Sequence, residues 1–250
     1  MKISIITVCY NSEYTIQNTI NSVLNQSYSD IEYIIVDGNS TDNTKSIITS
    51  YANKISCFIS EPDHGIYHAM NKGIRMATGD IVGMLNADDF FTNQEVVQRI
   101  VKEFENKDID AVYGDVQFVN PENINRIVRY YSSSKFKPNK FKYGFMPAHP
   151  SFYVKKDLFE KLGYYKEDYL IASDYELLIR FLFKGNLLYK YIERPLVTMR
   201  SGGISNKSLK NRFILNKEIM RACKENGIKT NYINIYSKYF RKINELIGNR

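Results

Sequence analysis

Side chains able to do chemistry gather where the apolar runs of this chain stop. Thr7-Val8-Cys9-Tyr10-Asn11 closes the first run, Val36-Asp37-Gly38-Asn39-Ser40-Thr41-Asp42 the second, Glu61-Pro62-Asp63 the third and Asn86-Ala87-Asp88-Asp89 the fourth. Adjacent carboxylates such as Asp88 and Asp89 suit a hard divalent cation shared with a diphosphate, because Mg²⁺ and Mn²⁺ take oxygen ligands and leave positions for phosphate oxygens. Asp37 can accept hydrogen bonds from a base or a ribose, or it can close an Asx turn with Gly38. Further along, Ala172-Ser173-Asp174-Tyr175-Glu176 offers a capping box from Ser173 and Glu176. That leaves Asp174 over, either as a general base or as an acidic residue serving the helix dipole. His149 stands between Pro147 and Pro150, where it either lines a site or is hydrogen-bonded as a structural residue. His64 and His68 are not at metal-ligand spacing with any carboxylate cluster.

The elements that must position these residues follow from the pattern. Ile3–Val8 is a β-rich run, and Asn11 or Ser12 can cap a helix with Ile16, Ile20, Val23 and Leu24 on one face. The unit repeats: a strand over 31–36, a helix capped by Ser40 or Thr41 and running to about Asn53, and a strand over 55–59. Ile66, Met70, Ile74 and Ala77 have helical spacing, Gly79-Asp80 breaks that helix, and Ile81–Leu85 reads as a buried strand. Strands alternating with helices imply a parallel sheet with right-handed crossovers, whose carboxyl ends form the ligand edge. Thr92 and Glu95 predict a capping box for a helix to about Asn106; a strand over 111–119 and another over 126–131 predict a hairpin; Ser132–Tyr143 predicts a mobile loop. Short strands over 187–192 and 195–199, a glycine hinge over 200–205, and a helix from Ser205 to Asn226 with Gly227 as C-cap complete the reading. A last helix carries Ile233, Tyr236, Phe240, Ile243 and Ile247 on one face and Lys238, Arg241 and Lys242 elsewhere.

Composition narrows the function classes. At 250 residues the chain can bury a full core, and no run of about 18 apolar residues predicts a membrane span. With the first strand beginning at Lys2 or Ile3 there is no room for a signal peptide, so a cytoplasmic location is expected. Cys9, Cys57 and Cys223 are odd in number and scattered, which predicts reduced core residues rather than disulfides or a zinc site. Residues 206–250 carry eleven Lys or Arg against three Glu, a net +8, while residues 1–205 carry 23 against 24, a net −1. Without a nucleic-acid motif, that basic tail reads as a solvated helix face or a contact with anionic lipid, not as a nucleic-acid site. The segment after the first strand, Cys9-Tyr10-Asn11-Ser12-Glu13-Tyr14, lacks both the Rossmann G-x-G-x-x-G and the P-loop pattern, so phosphates are expected to be held through a metal.

Taken together, Thr7–Asn11, Val36–Asp42 and the 29-residue stretch EPDHGIYHAMNKGIRMATGDIVGMLNADD resemble a family 2 glycosyltransferase of the GT-A fold over roughly residues 1–205. The resemblance implies an α/β fold: a Rossmann-like, mostly parallel mixed sheet flanked by helices, with a nucleotide-binding part over about 1–110, an acceptor part over about 111–205 and a basic helical C-terminal extension over 206–250. It implies donor contacts from Thr7, Tyr10, Asn11, Asp37, Asp63, Asn71, Lys72, Asn86 and Asp88, with Asp37 facing the nucleobase. It also implies Mn²⁺ or Mg²⁺ at Asp88 and Asp89, Asp174 as catalytic base and His149 lining the active site. His68 departs from the family signature, which has Asp there, and Asn86 departs from the usual first aspartate of the DxD motif. The implied reaction is inverting transfer of one sugar from a nucleotide-sugar, a UDP-sugar, to a saccharide or polyprenyl-linked acceptor in bacterial surface polysaccharide or lipopolysaccharide assembly. A location at the inner face of the plasma membrane would follow, with the last helix either docked on membrane or partner, or packed on the core. A processive synthase would carry Q-x-x-R-W and membrane spans, and this chain has no Trp. A nucleotidyltransferase would carry a glycine-rich basic loop after the first strand, which is absent; a non-catalytic sugar-nucleotide-binding protein remains the alternative from another class.

Overall fold

In the computed structural model, which describes residues 1–202 and 208–237, nine strands form one mixed sheet flanked by helices on both faces. The predicted alternation holds. β1 (Ile3–Cys9), β2 (Ile31–Asp37), β3 (Cys57–Ser60) and β4 (Ile81–Met84) are parallel, in the spatial order β3-β2-β1-β4. In register, Cys9 lies opposite Asp37 and Asp37 opposite Ser60, so the loops that follow start from one edge. Beyond β4 the sheet turns mixed: β8 (Tyr153–Lys155) is antiparallel to both β4 and β6 (Ala111–Asn120), while β9 (Tyr189–Arg200) runs parallel to β6. β5 (Phe90–Phe91) closes the far edge on β9, and β7 (Asn123–Tyr131) forms the expected hairpin with β6. The two short strands expected over 187–199 are one strand with a register shift opposite Asp115.

Two hydrophobic clusters line the sheet. Ile3, Ile5, Tyr33 and Ile35 pack under α1 (Ile16–Leu24), α2 (Thr44–Thr49) and α4 (Val96–Glu103), whose apolar faces include Ile20, Ile48 and Ile100. Ile6, Val8, Val36 and Val82 face α3 (Ile66–Met76), α5 (Asp157–Leu162), α6 (Ser173–Ile179) and α7 (Leu209–Glu225), which contribute Met70, Phe159, Leu178 and Ala222. α7 and the residues after it therefore enter the core: Ile219, Ala222, Cys223 and Ile235 are all at least 97% buried. The three cysteines are free, as expected, and Cys9 and Cys223 are buried.

The caps expected for α1, α2, α4 and α6 do not form. None of these helices has a side-chain cap bond, and the Ser40 and Thr92 hydroxyls have tertiary partners instead. Ser40 Oγ donates to Asp37 and accepts from Asn11 N, and Thr92 Oγ1 donates to Pro195 O at 2.8 Å. Glu176 of the expected α6 box turns to Arg180 and Lys166 instead, and Ser173 Oγ is buried without a partner. α7 is capped, Asn211 N donating to Ser208 Oγ at 3.0 Å, and Gly227 takes φ +76° just beyond its end, the left-handed conformation a C-terminal glycine supplies. Ser132–Tyr143 is not the unanchored loop expected: Ser133, Phe136 and Phe141 are buried, and residues 138–143 form a 3₁₀ turn. Of the expected hinge, residues 203–205 lie outside the described residues, as do Lys238, Phe240, Arg241, Lys242, Ile243 and Ile247 of the last helix.

α3 lies close on β1 because residue 73 is a glycine. A Cβ there would come 2.4 Å from Ile6 Cγ2. Gly73→Ala is therefore expected to cost about 1–3 kcal/mol through overpacking. Thermal melting should fall by about 2–4 °C for each kcal/mol lost; an unchanged midpoint would show that this interface has slack.

Candidate active site

Four loops leave the carboxyl edge of β1–β4, and hydrogen bonds stitch them together. Asn11 takes a positive φ of 48°, tolerable for an asparagine, and its Oδ1 accepts from Thr41 N at 2.9 Å. Asp37 is fully buried and its carboxylate is satisfied: Oδ2 accepts from Ser40 N at 3.0 Å and Ser60 Oγ at 2.6 Å, while Oδ1 meets Ser40 Oγ and Cys9 Sγ. Thr7 Oγ1 is turned inward to Tyr33 Oη at 3.1 Å. Asn71 is 1% exposed and clips α3 to the segment before α6, bonding Tyr165 N and O and Glu167. Thr7, Asp37 and Asn71 thus spend their polar groups on the protein itself, and Asn11 its Oδ1. They build the site's walls.

Other sequence candidates keep free oxygen atoms. Asp63 is 8% exposed; its Oδ1 receives Lys72 Nζ at 2.6 Å and lies 2.9 Å from His68 Nδ1, but its buried Oδ2 has no partner. Lys72 also bridges to Glu61 at 2.7 Å; burial opposes its charge, yet the bonds to Asp63 and Glu61 raise its pKa. Gly38 opens the space beside Asp63, since a Cβ at residue 38 would sit 3.4 Å from Asp63 Oδ2 and 3.5 Å from the Tyr10 ring. Tyr10 is itself 63% exposed. A free carboxylate oxygen, a cleared backbone and an exposed ring form a slot able to take a planar base. His68, where an aspartate would face Asp63 with like charge, instead offers a ring nitrogen at hydrogen-bond distance from it.

At the end of β4 the chain turns sharply, Asp89 N bonding Asn86 O at 3.0 Å, while Thr19 Oγ1 from α1 lies 2.9 Å from Ala87 O and 2.7 Å from Asp89 O. Asp88 is exposed and Asp89 fully buried. Asp89 Oδ2 has one weak donor, Asn86 Nδ2 at 3.3 Å; Asp89 Oδ1 and Asn86 Oδ1 have none. Burial, and then the neighbouring Asp88 charge, push the Asp89 pKa well up, as expected of a carboxylate short of a positive partner. Arg200 at the end of β9 donates to Asp88 O and covers Phe90, a contact the sequence reading missed although Arg200 opens the expected glycine hinge. This oxygen set fits a hard divalent cation. Among the described residues no group of three or more His, Cys, Asp or Glu is placed to hold a metal, so such an ion would complete its shell with ligand or water oxygens.

Asp174 opens α6, its Oδ1 accepting from Tyr175 N at 2.7 Å. Burial, opposed by backbone hydrogen bonds and reinforced by the charge of Glu218, raises its pKa to about 6, a value suited to taking a proton near neutral pH. Tyr67 in the first turn of α3 and Tyr165 stack at 5.8 Å, and both rings feel the Asp174 charge. α3 thus begins beside the Asp63 slot and reaches the Asp174 pocket within one turn. His149 is buried and shares a 2.5 Å hydrogen bond with Tyr165 Oη; burial lowers its pKa to about 4, so it is neutral and touches the pocket only through Tyr165.

With Asp89 buried and underpaired, Asp89→Asn is expected to raise the melting temperature of the metal-free protein by a few degrees, because it removes a charge that lacks a partner. Adding Mn²⁺ should then stabilise the parent protein and leave the variant unmoved. Equal Mn²⁺ responses in the two would remove Asp89 from the metal set.

The family model for glycosyl transferase family 2 matches residues 4–163 of this chain. A PGL/p-HBAD biosynthesis glycosyltransferase of Mycobacterium bovis is 27% identical over 216 residues, 84% of this chain and 82% of that protein. An uncharacterised glycosyltransferase of Mycobacterium tuberculosis is 33% identical over 184 residues, 71% of this chain and 68% of the relative. Among solved structures, Staphylococcus aureus TarS residues 1–349 in complex with UDP-GlcNAc superposes with a TM-score of 0.70 at 20% identity, covering 89% of this chain and 66% of that one. A Pyrobaculum calidifontis mannosyltransferase in complex with GDP-Man and Mn²⁺ superposes with a TM-score of 0.64 at 20% identity, covering 90% and 63%. The chain spans 39% of the longer TarS structure.

Proposed function

Because this chain belongs to glycosyl transferase family 2 and has the GT-A fold, we propose that it transfers one sugar, with inversion, from a UDP-sugar to a hydroxyl of a saccharide or lipid-linked saccharide in bacterial surface polysaccharide assembly. The observation that carries this reading is the set of side-chain oxygens left without donors along one sheet edge, Asp63 Oδ2, Asn86 Oδ1 and Asp89 Oδ1. UDP and UDP-GlcNAc in complexes of TarS, a protein of the same fold, support a uridine donor. Asp63 Oδ2 accepts the ring N–H of such a base while Tyr10 stacks on it, a role the sequence reading gave to Asp37.

Asp88, Asp89 and Asn86 would hold Mn²⁺ or Mg²⁺, which when bound supplies positive charge for the leaving diphosphate. The Mn²⁺ complex of the mannosyltransferase supports that expectation. Arg200, beside Asp88, adds a fixed cation at the same place. Asp174 takes the acceptor's hydroxyl proton as that oxygen attacks the anomeric carbon, and Tyr67 and Tyr165 keep its surroundings dry enough to hold its pKa near the working pH. Asp174→Asn should keep UDP affinity and cut UDP release from a panel of UDP-sugars about a hundredfold or more. In the parent protein the rate should fall as pH drops through about 6, where the base becomes protonated. Turnover surviving in the variant would place the base elsewhere.

We further propose peripheral contact with an anionic membrane through the start of the last helix. Ile235 is buried, but Tyr232, Ile233 and Tyr236 are 51%, 82% and 42% exposed, so the apolar stripe starts away from the core. No helix among the described residues is long and apolar enough to cross a membrane. Co-sedimentation with phosphatidylglycerol vesicles should fall when salt is raised and when Ile233 is replaced by Ser; binding that ignores both changes rules out this anchor.

A further inference from the structure

α7 lies in the basic C-terminal region, yet its buried carboxylate points at the backbone that leads into the candidate base. Glu218 is 9% exposed. Its Oε1 accepts from Leu170 N at 2.7 Å, and its Oε2 from Ile171 N and Ala172 N, both at 2.9 Å. Three successive backbone amides therefore converge on one carboxylate directly before α6, whose first turn has no side-chain cap of its own and carries Asp174 as its second residue. Hydrogen bonds to a charged acceptor are the strong ones, and a carboxylate at a helix N-terminus also gains from the helix dipole. The rest of α7 grips the same segment. Lys166 and Tyr169 bond Glu225 at 2.7 and 2.9 Å, Arg221 pairs with Asp168, and Asn226 Nδ2 reaches Glu176 at 3.2 Å.

We propose that Glu218 is a positioning residue for the transfer reaction: it gathers the three backbone amides that lead into α6, fixing the backbone of residues 170–172 and through it the aim of the Asp174 carboxylate. A loop whose consecutive N–H groups point the same way has no intrinsic reason to hold that shape, and without an anion its donors would turn to water. Apolar packing alone would not require an acid at position 218, which shares a helix face with Leu215 and Ala222. The groups facing Asp174 are Glu218 from α7, Tyr67 from α3 and Tyr165 from the preceding segment, and of the side chains that shift the Asp174 pKa, Glu218 acts through its charge, raising it. Glu218 therefore both orients the base and adds a like charge to its surroundings. This inference rests on Asp174 being the base.

The full chain tests it. In Glu218→Gln the side-chain shape remains, but the charge goes and an NH₂ replaces one acceptor. Carbon-detected NMR should show the Asp174 carboxyl titrating at lower pH than in the parent. Amide exchange at Leu170, Ile171 and Ala172 should quicken at least tenfold, and UDP release from a UDP-sugar panel with water as acceptor should fall at least tenfold while UDP affinity stays within twofold. An unmoved titration with unchanged exchange overturns the proposal, and so does a parallel loss of turnover and UDP affinity, which is the mark of general destabilisation. If Glu218→Gln fails to fold, Glu218→Asp carries the test, since it keeps the charge and shortens the reach by one methylene. It should lower turnover without moving the titration, and parental turnover overturns the proposal. Turnover surviving in Asp174→Asn would instead overturn the assignment of the base, a result independent of Glu218.

Discussion

A carboxylate taken out of water must find hydrogen-bond donors or a cation, and that requirement sorts the acidic residues of this protein into two kinds. Asp37, Glu32, Asp115, Glu176 and Glu218 are buried and supplied: Asp115, for example, accepts from Ser133 N, Tyr130 Oη and Tyr191 Oη. Burial alone would raise Glu32, yet hydrogen bonds from Lys2, Ser4 and Thr78 hold its pKa at about 2. These acids tie the loops and the mixed half of the sheet into a rigid frame. Asp89 is buried too and Asp63 is half-buried, but each keeps a buried oxygen with no donor. A folded chain retains such a deficit where something outside it completes the shell, and both deficits fall on the edge where the four parallel strands end.

The parallel half of the fold was legible in the sequence because its signals are local: apolar runs of strand length, spaced by helical periodicity and punctuated by glycine and proline. β1 to β4 and the helices between them follow directly. The capping boxes at Thr92 and Ser173 were equally local and were not formed, because Pro195 and a segment of α7 offered those regions partners more than 40 residues away. Ser132–Tyr143 looked structureless for the same reason. Its period is broken by Ser, Lys and Pro, yet Phe136 and Phe141 have aromatic neighbours, Tyr113 and Tyr175, that only the tertiary fold provides.

The candidate site was legible as a set of residues and less so as a set of roles. Residue types at strand ends marked Asp37, Asp63, Asp88 and Asp89 alike, and a helix start marked Asp174. Only the hydrogen-bond accounting separates Asp37, which has every lone pair engaged, from Asp63, which does not. Glu218 left a fainter trace: an acid in line with Leu215 and Ala222 on a helix face that otherwise turns apolar residues to the core. Its partners are backbone amides, which no side-chain pattern advertises.

The contacts around Asp174 also come from further apart in the chain. The edge at the ends of β1 to β4 is built within the first 90 residues, whereas the surroundings of Asp174 also draw on α7, through the bond from Ala172 N to Glu218, and on α3, through the bond from Asn71 to Glu167. α7 is thus bound to the loop before α6 by polar contacts and to the core by Ile219, Ala222 and Cys223, so one helix couples the shape of that loop to the packing of the sheet.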